Sequence, residues 1–241
     1  MGLGSIGIIG GSGVSELIFT KGFKRVKIRT KYGELWVKQG KVLGTNILFI
    51  NRHGEKYTPP SKINYRANIA ALKEGGVQAI LATAAVGSIN SRMKPGDFVV
   101  LSDFIDFTHG RAQTFSDLSF IDLSQPYDPS LAKTIISEAA KLRIKIHPRA
   151  TYVCTEGPRF ETKAEIKMFG KLGADVVGMT NVPEVVLANE AGIPYAVIGV
   201  VTNYAAGVSL GKVSADEVVE VMGEKRAGLS RLLAQTLRNT K

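Results

Sequence analysis

The sequence has little of several residue types, and each shortage argues against a class of protein. Cys154 is the single cysteine among 241 residues, which excludes an intramolecular disulfide and a cluster of thiolate metal ligands. No apolar run approaches the roughly 18 residues that a helix needs to cross a bilayer. The segment MGLGSIGIIGGSG lacks the basic region and cleavage site of a secretory signal. We therefore expect a soluble cytoplasmic protein with no membrane partner.

Acidic residues are also scarce, with 21 Asp and Glu against 31 Lys and Arg, and the net charge is +10. Segment 21–41 holds eight Lys and Arg residues and a single acidic one, Glu34. Such a segment suits either a nucleic-acid surface or a solvated β-hairpin around TKYGE. Val26 and Ile28 alternate with charged residues, which favours the hairpin, and we expect no nucleic-acid partner.

Hydrophobic residues make up 44% of the chain, enough to bury a sizeable core in one domain over residues 1–241. Seven apolar runs predict strands: Ile6–Gly11, Thr45–Asn51, Val77–Ala85, Asp97–Phe107, Ala150–Gly157, Asp175–Thr180 and Tyr195–Asn203. Five amphipathic patterns between them predict helices: Lys62–Glu74, Pro129–Leu142, Thr162–Leu172, Val182–Ala191 and Ser214–Leu237. This alternation is typical of an α/β fold with a substantially parallel sheet covered on both faces. Cys154 ends an apolar pattern and is interpreted as a small buried side chain.

In sheets of this kind ligands bind beyond the carboxyl ends of the strands. The residues that follow the predicted strands should therefore share one cleft. They are Gly11–Gly13, Arg52 and His53, Thr83–Ala85, Glu156–Glu161, Met179–Thr180 and Thr202–Asn203.

The chemistry of these residues predicts an anion site. Ser12 and its flanking glycines offer a hydroxyl and backbone amides, although the segment fits neither the dinucleotide pattern, because Glu16 replaces the last glycine, nor a Walker loop. Arg52 suits a bidentate contact with an oxyanion. Thr83 and Thr180 add hydroxyls, and Thr180 precedes the positive end of a helix. Carboxylates are scarce in these segments and no metal-ligand spacing occurs, so we expect inorganic phosphate held without a metal ion, with a carboxylate substrate as the alternative.

Longer motifs carry a resemblance to a known family. They are GIIGGSG, NRHG, PSKINYRANIAALKEGG, TAAVGS, PGDFVVLSDFID, TEGPRFETKAEI, LGADVVGMTNVPEVVLANEAG and TNYAAG, which extend collinearly from about Ile6 to Val221. In these motifs the chain resembles the trimeric purine nucleoside phosphorylase and methylthioadenosine phosphorylase family. The resemblance implies one α/β domain with a twisted, mixed, largely parallel sheet flanked by helices. It also implies a homo-oligomer, a trimer or a dimer of trimers, that cleaves a purine nucleoside with inorganic phosphate as co-substrate and no other cofactor.

The resemblance assigns roles by position. It implies a phosphate site made of Ser12, Arg52, His53, Thr83, the backbone of Ala84, and Thr180. Met179 matches a methionine that lies against the ribose, and Phe160 matches an aromatic residue that faces the base. Phe120 falls near a loop that enters the site of a neighbouring subunit. Arg52, His53 and Asn203 would be the catalytic residues.

Two positions predict which purine is cleaved. Asn203 and Glu161 match the pair that reads a 6-oxopurine, because the Asn amide can donate to O6 and engage N7 while an ionised Glu accepts from N1–H. Members that cleave methylthioadenosine carry Asp at position 203, often with a second Asp in place of Ala205, and lack the Glu. In isolation, Asn203 would also suit a turn cap and Glu161 a helix start. Two alternatives stay open: a methylthioadenosine phosphorylase that tolerates Asn203, and a basic nucleic-acid-binding protein with an inactive site.

The group at the 5′ position of the ribose is less determined by the sequence. Members that cleave ordinary nucleosides place a His near the start of the last helix, where Ala215 stands here, with Val219 one turn later. An apolar pair at this spacing suits a 5′-methylthio group, as in methylthioinosine, and equally suits packing into a core. Inosine, guanosine and methylthioinosine are thus all candidate substrates, and purine salvage is the expected role.

Overall fold

The structure, a computed structural model, describes residues 5–11, 14, 20–116 and 120–240. These residues form nine strands: β1 Ser5–Gly10, β2 Lys24–Thr30, β3 Gly33–Val42, β4 Thr45–Asn51, β5 Val77–Ser88, β6 Phe98–Phe107, β7 Ile146–Thr155, β8 Val176–Gly178 and β9 Tyr195–Tyr204. They also form five α-helices: α1 Tyr65–Glu74, α2 Pro129–Lys141, α3 Lys163–Lys171, α4 Asn181–Glu190 and α5 Ala215–Asn239. Every strand and helix that the sequence predicts is present.

All nine strands belong to one mixed sheet in the order β2-β3-β4-β1-β5-β8-β7-β6-β9. Strand β9 pairs with β5 as well as with β6, so that β5, β8, β7, β6 and β9 close into a ring. Parallel pairing joins β1 to β4 and β5, β5 to β9, and β7 to β6 and β8. The predicted α/β fold with a mixed, largely parallel sheet is confirmed, and its assignment to one domain over 1–241 stays a prediction.

Helices cover both faces of the sheet, and successive residues of its central strands point to opposite sides. On β1, Ile9 packs in the cluster that includes residues of α1 and α4, whereas Ile8 packs in the cluster that includes residues of α2 and α5. Both side chains are fully buried. The apolar run of β1 is therefore continuous, as expected for a strand that is covered on each face.

The predicted elements differ from the observed ones chiefly at their ends. Helix α1 begins at Tyr65 rather than Lys62, because Pro60–Lys62 forms a short 3₁₀ turn and Asn64 then caps the helix by accepting the amide of Ala67. The basic segment forms the antiparallel hairpin β2–β3, as predicted. Its edge strand β2 carries exposed charges, which discourage pairing with another chain.

Candidate active site

Arg52 and Thr83, two of the proposed phosphate residues, are in contact beside the end of β1. Strand β1 stops at Gly10, whereas its neighbour β5 continues to Ser88, so the backbone of β5 beyond Ala82 has no β1 partner. Thr83 and Ala84 lie on this stretch, inside the strand. The amide of Gly11 donates to Oγ1 of Thr83 at 3.2 Å, which leaves the hydroxyl hydrogen of Thr83 able to donate. Ser12 lies outside the described residues.

Arg52 follows β4 and is held by a buried ion pair. Its Nε and Nη2 donate to the two carboxylate oxygens of Glu184, each at 2.7 Å, and both side chains are 0% exposed. Nη1 donates to the carbonyl of Thr83 at 2.8 Å, and Tyr195 donates its hydroxyl to Glu184 at 2.6 Å. A guanidinium has five N–H groups, so two of them have no acceptor among the described residues. The bidentate edge formed by Nε and Nη2 faces Glu184, so a phosphate ligand would have to contact the remaining N–H groups of Nη1 and Nη2.

The electrostatics of the pair keep Arg52 charged. Burial alone would lower the pKa of Arg52, but the Glu184 carboxylate more than offsets this effect and raises the pKa above its ordinary value. Gly11 allows the close approach of the backbone to this group, because a Cβ at that position would lie 2.6 Å from Nη1 of Arg52. A fixed positive charge thus lies directly against the backbone turn that follows β1.

His53 is buried next to Arg52. Its Nδ1 lies 2.9 Å from the carbonyl of Thr58, and its ring stacks on Tyr57 with centroids 4.6 Å apart. Burial, with a smaller contribution from the charge of Arg52, lowers the pKa of His53. The ring is therefore neutral at physiological pH, and an Nδ1–H bond to Thr58 would orient it.

Met179 and Thr180 form the turn between β8 and α4. Thr180 is the N-cap residue of α4, with no capping bond from its side chain, and its amide bonds the hydroxyl oxygen of Tyr152 at 3.1 Å. Met179 packs on Gly157, whose φ of +64° and lack of a Cβ leave room for the sulfur. Thr180 thus precedes the positive end of a helix dipole, as predicted.

Asn203 lies within β9 and is 4% exposed. Its Oδ1 accepts the hydroxyl of Thr202 at 2.8 Å, and its Nδ2 donates to the carbonyl of Tyr204 at 3.0 Å. These bonds orient the amide, and in the described part of the chain one N–H and one acceptor site of the amide have no partner. Asn203 pairs with Gly87 of β5, and Gly87 also pairs with Val177 of β8. Gly87, which has no side chain, therefore lies between Asn203 and β8.

Glu161 lies on the segment that follows β7. Its Oε1 accepts the hydroxyl of Thr155 at 2.6 Å, and Thr155 also lies 3.4 Å from the carbonyl of Gly178, at the end of β8. Burial raises the pKa of Glu161, and the bond from Thr155 partly opposes that shift. Strand β8 therefore links the proposed readers of the base, with Asn203 on one side and Glu161 on the other.

Four residues with predicted roles in the site are exposed in the single chain. Phe160 is 39% exposed and Phe120 is 98% exposed, so neither is packed in a core. Ala215 and Val219 lie on the first turns of α5 with both side chains exposed, Val219 to 65%. Packing of this pair into the core, the alternative to a 5′ pocket, is therefore wrong for the single chain.

Two shallow surface grooves lie away from this cluster. The larger, of about 450 Å³, lies between the β3–β4 turn and the helices α2 and α5, and the other, of about 260 Å³, lies beside the start of α2. Neither is lined by a predicted site residue, so cavity size does not locate the site. Among the described residues, no group of three His, Cys, Asp or Glu side chains is placed to hold a metal ion. No helix in the described ranges is long and apolar enough to cross a membrane.

Comparison with known proteins identifies the family. Residues 5–238 match the family described as the Phosphorylase superfamily. The chain belongs to this superfamily. It is 48% identical over 240 residues to the 6-oxopurine nucleoside phosphorylase of Pyrococcus furiosus, a match that covers 95% of this chain and 90% of the relative. It is 44% identical over 241 residues to the probable S-methyl-5′-thioinosine phosphorylase of Methanothermobacter thermautotrophicus, with 98% and 84% covered.

A solved structure agrees with this membership. The methylthioadenosine phosphorylase from Schistosoma mansoni in complex with adenine matches this chain with a TM-score of 0.93 at 32% identity, covering 98% of this chain and 91% of that one. The predicted family, fold and enzymatic nature of the chain are thereby confirmed. The roles of individual residues stay predictions.

The sequence analysis did not predict a role in the site for two charged residues whose side chains are buried. Glu184 holds Arg52, and Arg111 bonds to four backbone carbonyls around the site. Arg111 follows β6, which ends at Phe107. It would have been identified if the residues after this strand had been included among those expected in the cleft at the carboxyl ends of the strands. Glu184 carries no such signal, because an acid in the first turn of a helix is also favoured by the helix dipole alone.

Proposed function

We propose that this phosphorylase cleaves the N-glycosidic bond of 6-oxopurine nucleosides with inorganic phosphate, to release a free purine base and ribose 1-phosphate or its methylthio analogue. The observation that carries the proposal is the amide of Asn203, which is buried, oriented by Thr202 and Tyr204, and has one N–H to spare. That donor suits the 6-oxygen of hypoxanthine or guanine. Purine salvage is the corresponding cellular role.

The mechanism follows from where charge develops. Cleavage leaves the ribose oxocarbenium-like and places negative charge on the purine, so groups that stabilise these charges accelerate the step. In our proposal the remaining N–H groups of Arg52 and the hydroxyls of Ser12, Thr83 and Thr180 hold phosphate beneath C1′, with His53 and the backbone of Ala84 beside it. Phosphate then supplies both the counter-charge and the nucleophile, so positioning is the main contribution of the protein.

The purine is held from its opposite edge in this scheme. Asn203 donates to O6 and stabilises the charge that the departing base acquires, while ionised Glu161 accepts from N1–H. A 6-aminopurine presents a donor at position 6 and lacks the N1 hydrogen, so it would leave both Glu161 and the free N–H of Asn203 unpaired. The reaction needs no cofactor other than phosphate as co-substrate.

One measurement tests the reaction and another tests the base. Release of hypoxanthine from inosine should require added phosphate, and equal rates with and without phosphate would refute phosphorolysis. Asn203→Asp should then shift the ratio of kcat/KM for methylthioadenosine over methylthioinosine toward the amino substrate by about 100-fold or more, because a mismatched buried hydrogen-bonding group is strongly rejected. Asn239→Asp, on the exposed last turn of α5, is the matched control and should leave the ratio unchanged.

Phosphorolysis of methylthioadenosine is the second candidate function, and it is favoured by the structural similarity to the Schistosoma mansoni enzyme. It predicts that the unaltered protein prefers methylthioadenosine over methylthioinosine. A panel of inosine, guanosine, methylthioinosine, adenosine and methylthioadenosine, read by release of base, decides between the two candidates and identifies the 5′ group.

We further propose a homo-oligomer, a trimer or dimer of trimers, located in the cytoplasm. The side chain of Phe120 is 98% exposed, and so are parts of Phe160 and Val219, which suits a site completed by a neighbouring subunit. Sedimentation velocity on the full chain measures the state, and a monomer that cleaves nucleosides at full rate would contradict this proposal.

A further inference from the structure

Arg111 is the most extensively bonded side chain of the site. It lies on the loop after β6, and its side chain is 3% exposed. Its Nη1 donates to the carbonyls of Met179 and Val182 at 2.7 and 2.8 Å, on either side of Thr180. Its Nη2 donates to the carbonyls of Glu156 and Thr155 at 2.8 and 3.3 Å. One guanidinium therefore bridges the turn after β8 and the end of β7.

The fifth donor of Arg111 is used as well. Nε donates to Oε2 of Glu156 at 3.0 Å, and the same oxygen accepts the amide of His109 at 3.0 Å. All five N–H groups thus have acceptors within the protein, whereas two of the five on Arg52 have no acceptor among the described residues. Arg111 has no donor left for a substrate, which separates its role from that of Arg52.

We propose that Arg111 is a positioning residue that holds the Met179–Val182 turn against the end of β7. The turn carries the proposed ribose contact Met179 and phosphate contact Thr180. The end of β7 carries Thr155, which bonds the proposed base reader Glu161. Arg111 therefore sets the separation between the base and the phosphate, on which in-line attack at C1′ depends. This inference rests on the proposed function for the identity of the ligands.

The local backbone explains why a side chain is needed here. Strand β8 is only three residues long, and Val182 departs from helical geometry with φ −106° and ψ +129°. The carbonyls of Met179 and Val182 consequently lie outside the regular bonding of strand and helix. Buried carbonyls of this kind require donors, and Arg111 supplies them.

Replacement of Arg111 tests the proposal through kinetics and chemical rescue. A displacement of about 1 Å in a positioned group costs roughly 100-fold in rate, so Arg111→Ala should lower kcat/KM for inosine and for phosphate by about that factor. Added guanidinium chloride, at concentrations that do not unfold the protein, should restore part of the loss by occupying the vacated site. Arg111→Lys should be intermediate, because an ammonium has three donors where the guanidinium has five. Arg149→Met, at an exposed position on β7, controls for the loss of a positive charge and should match the unaltered protein.

The outcomes separate this proposal from the proposed function. If the unaltered protein cleaves no nucleoside in the presence of phosphate, the proposed function fails. Calorimetric titration with inorganic phosphate still tests the role of Arg111, since Arg111→Ala should bind phosphate at least 10-fold more weakly. If Arg111→Ala and Arg111→Lys keep kcat/KM within twofold, the proposal is overturned. It is also overturned if the loss in both variants equals the unfolded fraction seen by circular dichroism and guanidinium restores nothing.

Discussion

The burial of the ion pair between Arg52 and Glu184 determines how much stability the protein should lose when one partner is replaced. Both side chains are 0% exposed, and the carboxylate accepts two bonds from the guanidinium and one from Tyr195. Removing one partner of such a pair typically costs 3–5 kcal/mol, because the other charge is left buried and uncompensated. Glu184→Gln keeps the shape and one acceptor oxygen, so we expect the lower end, about 3 kcal/mol of the free energy of unfolding. For a chain of this length that corresponds to a fall in Tm of about 6–12 °C.

Calorimetry at fixed protein concentration measures this fall, because any oligomer makes Tm depend on concentration. Glu220→Gln makes the same chemical change at an exposed position of α5 and should alter the unfolding free energy by less than about 0.5 kcal/mol. The kinetic consequence concerns phosphate: a guanidinium no longer held by Glu184 shifts, and kcat/KM for phosphate should fall by roughly 100-fold. A Tm within 1 °C of the unaltered protein, with unchanged phosphate kinetics, would refute the reasoning.

A double variant separates stability from function. Replacing a buried ion pair by apolar residues of similar volume is often neutral or stabilising, so Arg52→Met combined with Glu184→Leu should recover most of the Tm lost by Glu184→Gln. The double variant should nevertheless be inactive, because the proposed phosphate ligand is gone. Recovery of phosphorolysis together with stability would show that Arg52 is not that ligand.

Three further predictions concern single side chains. Thr155 stabilises the ionised form of Glu161, so Thr155→Val should raise the pKa of Glu161 further. The acid limb of the pH profile of kcat/KM for inosine should then move to higher pH by about 1 unit. A limb that does not move would belong to another group. Burial raises the pKa of Cys154 to about 11, so a thiol reagent at pH 8 should label it only after unfolding, and rapid labelling of the native protein would contradict its burial. Val219→His should favour inosine over methylthioinosine by about 10-fold if Val219 lines the 5′ pocket, and an unchanged ratio would remove it from that pocket.

The sequence predicts the fold well because the dominant signals are local. Strand β4, Thr45–Asn51, has the predicted bounds, since its apolar run is buried on both faces and ends at polar residues. Strand β7 begins at Ile146, four residues before the prediction, because Pro148 and exposed Arg149 interrupt its apolar pattern. The length of β5 was also underestimated, since the Gly87–Ser88 end lacks large apolar side chains and is held by pairing with β8 and β9.

The site is less predictable than the fold, because its geometry depends on residues that contribute from other elements. Arg52 and Thr83 are found from motif and position, and the structure brings them into contact. That Glu184 neutralises Arg52 depends on a tertiary contact between the first turn of α4 and the residue that follows β4, which no periodicity records. Thr202 and Thr155 orient Asn203 and Glu161 through single hydroxyl groups, and a Thr in a strand is equally expected from strand propensity alone.

The closed ring of strands has a consequence for the order in which the molecule assembles. Strand β9 closes the ring by pairing with β5, and the register that joins Gly87 to Asn203 spans more than a hundred residues. Contacts so distant in sequence form late, since the entropy of closing the intervening loop opposes them until other structure shortens it. During synthesis, β1, β4 and β5, which carry or precede the proposed phosphate residues Arg52 and Thr83, can pair before residue 203 has been made. Asn203, the proposed reader of the base, is added with this closing strand, so in our proposal a purine can bind only once the ring is complete.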